Sequence, residues 1–129
     1  MRIATISAFA RGSVAVIVAR VWLRVAPGPA LRWSSSPRTI APGVDRSDPT
    51  DRLVWGVNAA GHVIRATCLE RSMALTMLLA AARVPARLVV GVDPAGRNLR
   101  AHAWVESRGR VVLGAAEASD YAPLPIVVP

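Results

Sequence analysis

The chain has 129 residues, enough for one domain with a single hydrophobic core, and 53% of them are apolar, many of these Ala and Val. Its net charge of +8 comes from 16 arginines and no lysine, scattered rather than clustered, with four Trp, Phe9 and Tyr121 as the only aromatics; no nucleic-acid-binding motif appears, so nucleic acid is not an expected partner. A single cysteine excludes an internal disulfide, and one Cys with two His (His62 and His102) offers none of the usual zinc spacings, so no metal or cofactor is expected.

Residues 3 to 24 are apolar and helix-compatible, but Arg11 and Arg20 leave only eight residues between them. A spanning helix needs roughly 20 mainly apolar residues, and a signal peptide needs an apolar run that Arg11 would split. The stretch reads as an amphipathic helix that packs on the domain, with a membrane surface as the alternative resting place. From Pro27 to Pro49 the density of Pro, Gly and Ser predicts a surface loop without regular structure. Residues 1–49 are therefore expected to form an N-terminal helix and loop, followed by a core domain over 50–129.

Ser47 or Asp48 can cap the next helix, with Pro49 at an early helical position. Leu53, Val54, Val57, Ala60 and Ile64 then repeat at helical spacing. Thr67 followed three residues later by Glu70 is a capping-box pattern and places Cys68, the lone cysteine, at the first helical position. Free amides and the positive end of the helix dipole there favour a thiolate. This helix should run from Cys68 to about Arg83, apolar on nearly every side and hence interior, until Pro85 stops it.

Residues 88 to 92 read as a short buried strand, residues 93 to 98 as a turn, and residues 99 to 106 as the antiparallel return. Ser107-Arg108-Gly109 fits a three-residue connection with Gly109 left-handed, leading into a strand over residues 110 to 113. Residues 115 to 129 should wrap over the core as an extended tail. The expected fold class is α+β: helices, a cysteine-headed buried helix, then a small antiparallel sheet.

A lone cysteine is often only a small buried hydrophobe, and a lone histidine often a core residue with its hydrogen bonds met. His62 lies six residues before Cys68 and is not aimed at it. His102 sits mid-strand between Ala101 and Ala103, which leave room for a helix end. A cysteine at the start of a core helix, then a histidine on the second strand of the following sheet, is the order of transglutaminase-like and papain-like cysteine catalysis. There the imidazole deprotonates the thiol, and helix-start amides donate to the oxyanion.

Three blocks carry a closer match: Cys68-Leu69-x-Arg71-Ser72-x-Ala74-Leu75, Val84-Pro85-Ala86-Arg87-Leu88-Val89-Val90-Gly91-Val92, and Ala101-His102-Ala103-Trp104-Val105-Glu106, with Tyr121-Ala122-Pro123-Leu124 near the end. Together, over roughly residues 50 to 125, they resemble the lasso-peptide leader peptidases, the microcin-processing branch of the transglutaminase-like superfamily. The resemblance implies a cysteine peptidase that cuts the leader from a ribosomally made precursor peptide, with Cys68 as nucleophile and His102 as base. It also implies a separate leader-recognition protein and a lasso cyclase as partners. The N-terminal helix and the 27–49 loop would be docking surfaces. The single cysteine is compatible with a reducing cytoplasm, the expected location, with contact to a membrane surface left open.

That family places an acid on the strand after the histidine. The expected hairpin register pairs Glu106 with Arg110, Trp104 with Val112 and His102 with Gly114, so glycine occupies the acid's place. Glu117 is the candidate orienting acid, with Asp120 the next downstream; either would fix the imidazole tautomer. Glu106 reads as a surface or supporting residue, Trp104 as a core aromatic beside His102, and Arg71 as a helix-surface arginine without assigned role. Two rival readings stand beside the peptidase: a catalytically impaired scaffold that binds peptide or partner proteins, and an acyltransferase that passes the thioester to an amine.

Overall fold

The computed structural model describes residues 3–36, 49–92, 101–114 and 122–124. The expectations placed on Ser47, Asp48, the 93–98 turn, Glu117, Asp120 and Tyr121 lie outside these residues. Among the described residues four helices precede four strands: α1 (Ile3–Val25), α2 (Pro27–Ser35), α3 (Thr50–Ile64), α4 (Cys68–Ala81), β1 (Arg87–Val92), β2 (Ala101–Ser107), β3 (Arg110–Leu113) and β4 (Ala122–Leu124). This is the expected α+β order.

α1 is one continuous helix through Arg11, and its sides are used in an unusual way. Ala8, Gly12, Ala15, Val16 and Ala19, spaced by three or four residues, are buried. Many of its large aliphatic side chains, among them Ile6, Val14, Ile17, Val18 and Val21, are exposed, whereas Val16 is fully buried. The small stripe lets α1 meet α3 backbone to backbone: a Cβ on Gly12 would collide with the Gly56 carbonyl, and one on Gly56 with the Ala8 carbonyl. Since Gly12 lies at Gly56 and Arg20 reaches the carbonyls of Ile64 and Arg65, the two helices run parallel. By length and hydropathy alone, Thr5–Val25 would suffice to cross a membrane; its buried face instead rests on α3 and α4.

The expectation of an irregular 27–49 segment is overturned for its first third, which is α2. Pro27 stands in the first helical turn, where its missing N–H costs no hydrogen bond and its fixed φ already suits a helix. Ala30 and Ser34 then face inward, and the Ser34 hydroxyl donates to the Ala30 carbonyl at 2.8 Å. Trp33 of α2 and Trp22 of α1 pack with ring centroids 5.5 Å apart. α3 begins at Thr50, with Pro49 immediately before it as N-cap rather than inside it.

α4 is interior, as its composition demands. Met73, Leu75, Leu79 and the hydroxyl residues Ser72 and Thr76 are buried, and the Thr76 hydroxyl donates to the Ser72 carbonyl at 2.8 Å. Its end is a Schellman motif: Val84 N–H bonds to the Leu79 carbonyl and Arg83 N–H to that of Ala80, with Arg83 left-handed at φ 60°. The helix therefore stops at Ala81, two residues before the expected Arg83. Val16 of α1, Ala30 of α2, Val57 of α3, Leu75 and Leu79 of α4, and Leu88 and Val105 of the sheet share one core.

The sheet order is β3-β2-β1-β4, antiparallel throughout. β4 corrects the reading of the C-terminal segment as a tail: Ala122–Leu124 pairs with β1, with Pro123 opposite Gly91 on the sheet edge, where proline is tolerated. The hairpin is also tighter than expected. Ser107 pairs with Arg110, so two residues rather than three turn the chain, and both Arg108 (φ 53°) and Gly109 (φ 77°) are left-handed. The register then shifts by a bulge: Glu106 opposes Val111 and Val105 opposes Leu113. The expected pairs Glu106–Arg110, Trp104–Val112 and His102–Gly114 are therefore not formed.

Candidate active site

The head of α4 is built as its sequence pattern requires. Thr67 is the N-cap; its hydroxyl accepts from the Glu70 amide at 3.1 Å, and its own amide donates to Glu70 Oε1 at 3.0 Å. Cys68 is the first helical residue, half-buried, with its thiol free. The capping box uses the Glu70 amide, and the Thr67 carbonyl accepts from the Arg71 amide at 3.0 Å. The amides of Cys68 and Leu69 lie in the first turn of α4, where the helix itself supplies no acceptor and its positive end favours negative charge.

Sequence reasoning missed what holds this head in place. Arg20 of α1 donates through Nε to Glu70 Oε2 at 3.0 Å and through Nη2 to Oε1 at 3.2 Å. The same Nη2 contacts the carbonyls of Ile64 at 3.3 Å and Arg65 at 3.4 Å, the negative end of α3. One guanidinium thus ties the end of α3 to the beginning of α4. Partial burial pushes the Glu70 carboxyl up, but the hydrogen bonds from Arg20 and the Thr67 amide and the charges of Arg20 and Arg24 outweigh it and hold the carboxyl below its ordinary value. The hydrogen bond to Glu70 raises the Arg20 pKa in return. The one sequence-level hint was an arginine interrupting an otherwise aliphatic helix.

His102 is the second residue of β2, half-buried, directly opposite Gly91 of β1. Its ring stacks on Trp104 at a centroid distance of 6.4 Å, and Trp104 is 2% exposed. The Trp104 indole N–H donates to Glu106 Oε2 at 3.0 Å, and Arg87 donates to Glu106 Oε1 at 3.4 Å. Glu106 thus supports Trp104, as a residue two positions along the same strand face should. Alternation puts His102, Trp104 and Glu106 on one face of β2 and Val105, a core residue, on the other.

Gly114 is close to His102 despite the shifted register. It follows β3 at φ 84°, and a Cβ there would stand 2.9 Å from Trp104 Cβ and 3.4 Å from His102 Nε2. The imidazole is flanked by glycine on the β1 side and on the β3 side. α4 lies against β2, so the elements that carry Cys68 and His102 are in contact. Cys68 forms no disulfide, and its side chain is half-buried at the head of α4. His62 is exposed on the last turn of α3. The Arg71 side chain lies across Gly61 of α3, where a Cβ would strike it; its Nε is buried without a hydrogen-bond partner among the described residues. Those residues contain no cluster of His, Cys, Asp and Glu that could hold a metal ion.

A cysteine-headed core helix set against an antiparallel sheet defines the class of fold. The family described as the transglutaminase-like superfamily matches residues 13–125, and the chain belongs to it. That superfamily generally includes cysteine-type enzymes. No curated protein and no solved structure matches the chain.

Proposed function

We propose that this chain is a cysteine peptidase that removes the leader from a ribosomally made lasso-peptide precursor. The observation that carries the reading is the capped Cys68 at the head of a core helix that lies against the histidine-bearing strand, with first-turn amides that have no acceptor within the helix. The resemblance of the three sequence blocks to lasso-peptide leader peptidases supplies the substrate class.

In this mechanism His102 takes the proton of Cys68, and the thiolate attacks the scissile carbonyl. The amides of Cys68 and Leu69 donate to the oxyanion. His102 gives its proton to the leaving amine, and water, deprotonated by the same imidazole, hydrolyses the thioester and restores the thiol. Glu117 would orient the imidazole. Catalytic hydrogen bonds such as that between thiol and imidazole often tighten only in the complex with substrate. A separate recognition protein and a cyclase complete the proposed system, in the cytoplasm.

The test is leader cleavage followed by mass spectrometry, with the precursor and the recognition partner supplied. Cys68→Ala is expected to abolish cleavage and His102→Ala to slow it by about a hundredfold or more. Full cleavage by Cys68→Ala would remove the thiol from the mechanism. Gly114 favours a second reading, a scaffold that binds peptide without cutting it, because no side chain can orient His102 from that position. An inactive parent that still binds precursor would select the scaffold, and amine adducts on the product would select acyl transfer.

A further inference from the structure

α1 is turned inside out relative to a helix that rests on a core and faces water. Such helices bury large aliphatics and expose polar groups. α1 buries Ala8, Gly12, Ala15, Ala19 and a single large aliphatic, Val16, and presents Ile6, Val14, Ile17, Val18 and Val21 outward. Small residues at helix–helix contacts with bulky aliphatics facing away is the pattern of helices bathed in lipid. A protein interface would more typically gather Tyr, Trp, Met and Arg at its centre; here the exposed band is Ile and Val, with Phe9 at one edge. Between α1 and α4 the band continues into an apolar groove of about 430 Å³, with Val14, Val18, Met77 and Leu78 on its walls and Arg11 at the rim.

Charge identifies the kind of lipid. The first 44 residues contain six arginines and no acid. Arg20 is neutralised by Glu70, whereas Arg11, Arg24 and Arg32 are exposed. Arg24 follows Trp22 by two residues and Arg32 directly precedes Trp33, and the two indoles pack on each other at 5.5 Å, with Trp22 partly buried against the core. A helix of 23 residues is about 35 Å long, and when it lies in the interface its apolar face sinks to the acyl boundary while arginines reach the headgroups.

We propose that the exposed face of α1 docks on an anionic lipid surface, with its aliphatic band immersed and Arg11, Arg24 and Arg32 at the phosphates. The chain is thereby held peripherally, since the opposite face of α1 stays bound to α3 and α4. The proposal is independent of the peptidase reading.

The test is flotation of the full chain with vesicles of phosphatidylcholine containing about one third phosphatidylglycerol, against pure phosphatidylcholine. The parent is expected to float with the anionic vesicles and to lose binding as salt rises. Ile17→Glu with Val21→Glu should cut bound protein on the order of tenfold, and Arg24→Gln or Arg32→Gln about fivefold each at low salt. Asn58→Glu, on the exposed side of α3, should float like the parent. All these positions are already exposed, and circular dichroism checks the fold; Ile6→Glu serves as a second face variant. A parent that stays with the lipid-free fraction, or a face variant that floats undiminished, overturns the proposal. So does a lipid-free parent that is a dimer and that Ile17→Glu with Val21→Glu makes monomeric, which would give the face to a second copy of the chain.

Discussion

Arg20 donates to both carboxylate oxygens of Glu70, at 3.0 and 3.2 Å, and Glu70 is the inner half of the box that caps the helix headed by Cys68. The residue that sets the start of the cysteine helix is thus itself fixed from α1. Thr67→Ala removes the hydroxyl half of the box and should cost about 1 kcal/mol, a fall in Tm of roughly 4 °C for a domain of this size. Arg20→Gln should lower Tm in the same direction. The double variant should lose less than the sum, because both changes act on one cap. Thermal unfolding monitored by circular dichroism measures all three.

The same contact predicts an acid limb to stability. Glu70 titrates below its ordinary value in the folded chain, so the unfolded chain binds its proton first as pH falls. The contribution is complete above the unfolded value of about 4.3 and is lost as pH drops through the lower folded value. Melting curves of the parent and Glu70→Gln should therefore differ near neutral pH and converge in acid. Parallel curves down to the lowest pH would contradict the assignment.

Arg83 occupies the left-handed position of the Schellman motif that ends α4, where glycine is the usual residue. Arg83→Gly relieves the left-handed strain at the cost of a looser unfolded chain, and should stabilise by about 0.5–1 kcal/mol. Chemical denaturation with an unchanged m-value would check it.

Gly114 tests how the neighbourhood of His102 is used. Its φ of 84° and the Trp104 Cβ beside it leave no strain-free place for a side chain. Gly114→Ala should destabilise by about 1–3 kcal/mol, and Gly114→Asp should do likewise without accelerating leader cleavage. A faster Gly114→Asp enzyme would show that a carboxylate can reach His102 from there.

The contact of α1 with α3 predicts a sharper penalty. Gly12→Val or Gly56→Val drives a side chain into the opposite backbone and should cost about 1–3 kcal/mol or more. A variant that melts with the parent would rule out the backbone-to-backbone seam.

What the sequence disclosed was local. The Thr67–Glu70 box, the left-handed Gly109 and the antiparallel return of β2 on β1 all follow from spacings within a few residues. The elements missed depend on partners far along the chain. α2 was hidden because Pro27, Gly28 and Pro29 argue for a loop in any sequence count, whereas Pro27 in the first helical turn and a buried Ala30 make a helix there stable. The bulge beside Val112 shifts β3 against β2, and composition gives no sign of an extra residue; the expected partner of His102 was therefore wrong, although Gly114 still lies beside it. Arg20 looked like an interruption because its partners are 44 to 50 residues away.

The contact between Gly12 and Gly56 has a mechanical meaning. Helices separated by side chains can slide or roll on a compliant layer, but two backbones in direct contact have nothing between them to deform. α1 and α3 must then tilt as a single lever, with Arg20 as the coupling that passes their displacement to the first turn of α4. Arg20 thereby joins that rigid pair of helices to the carboxylate that caps the first turn of α4.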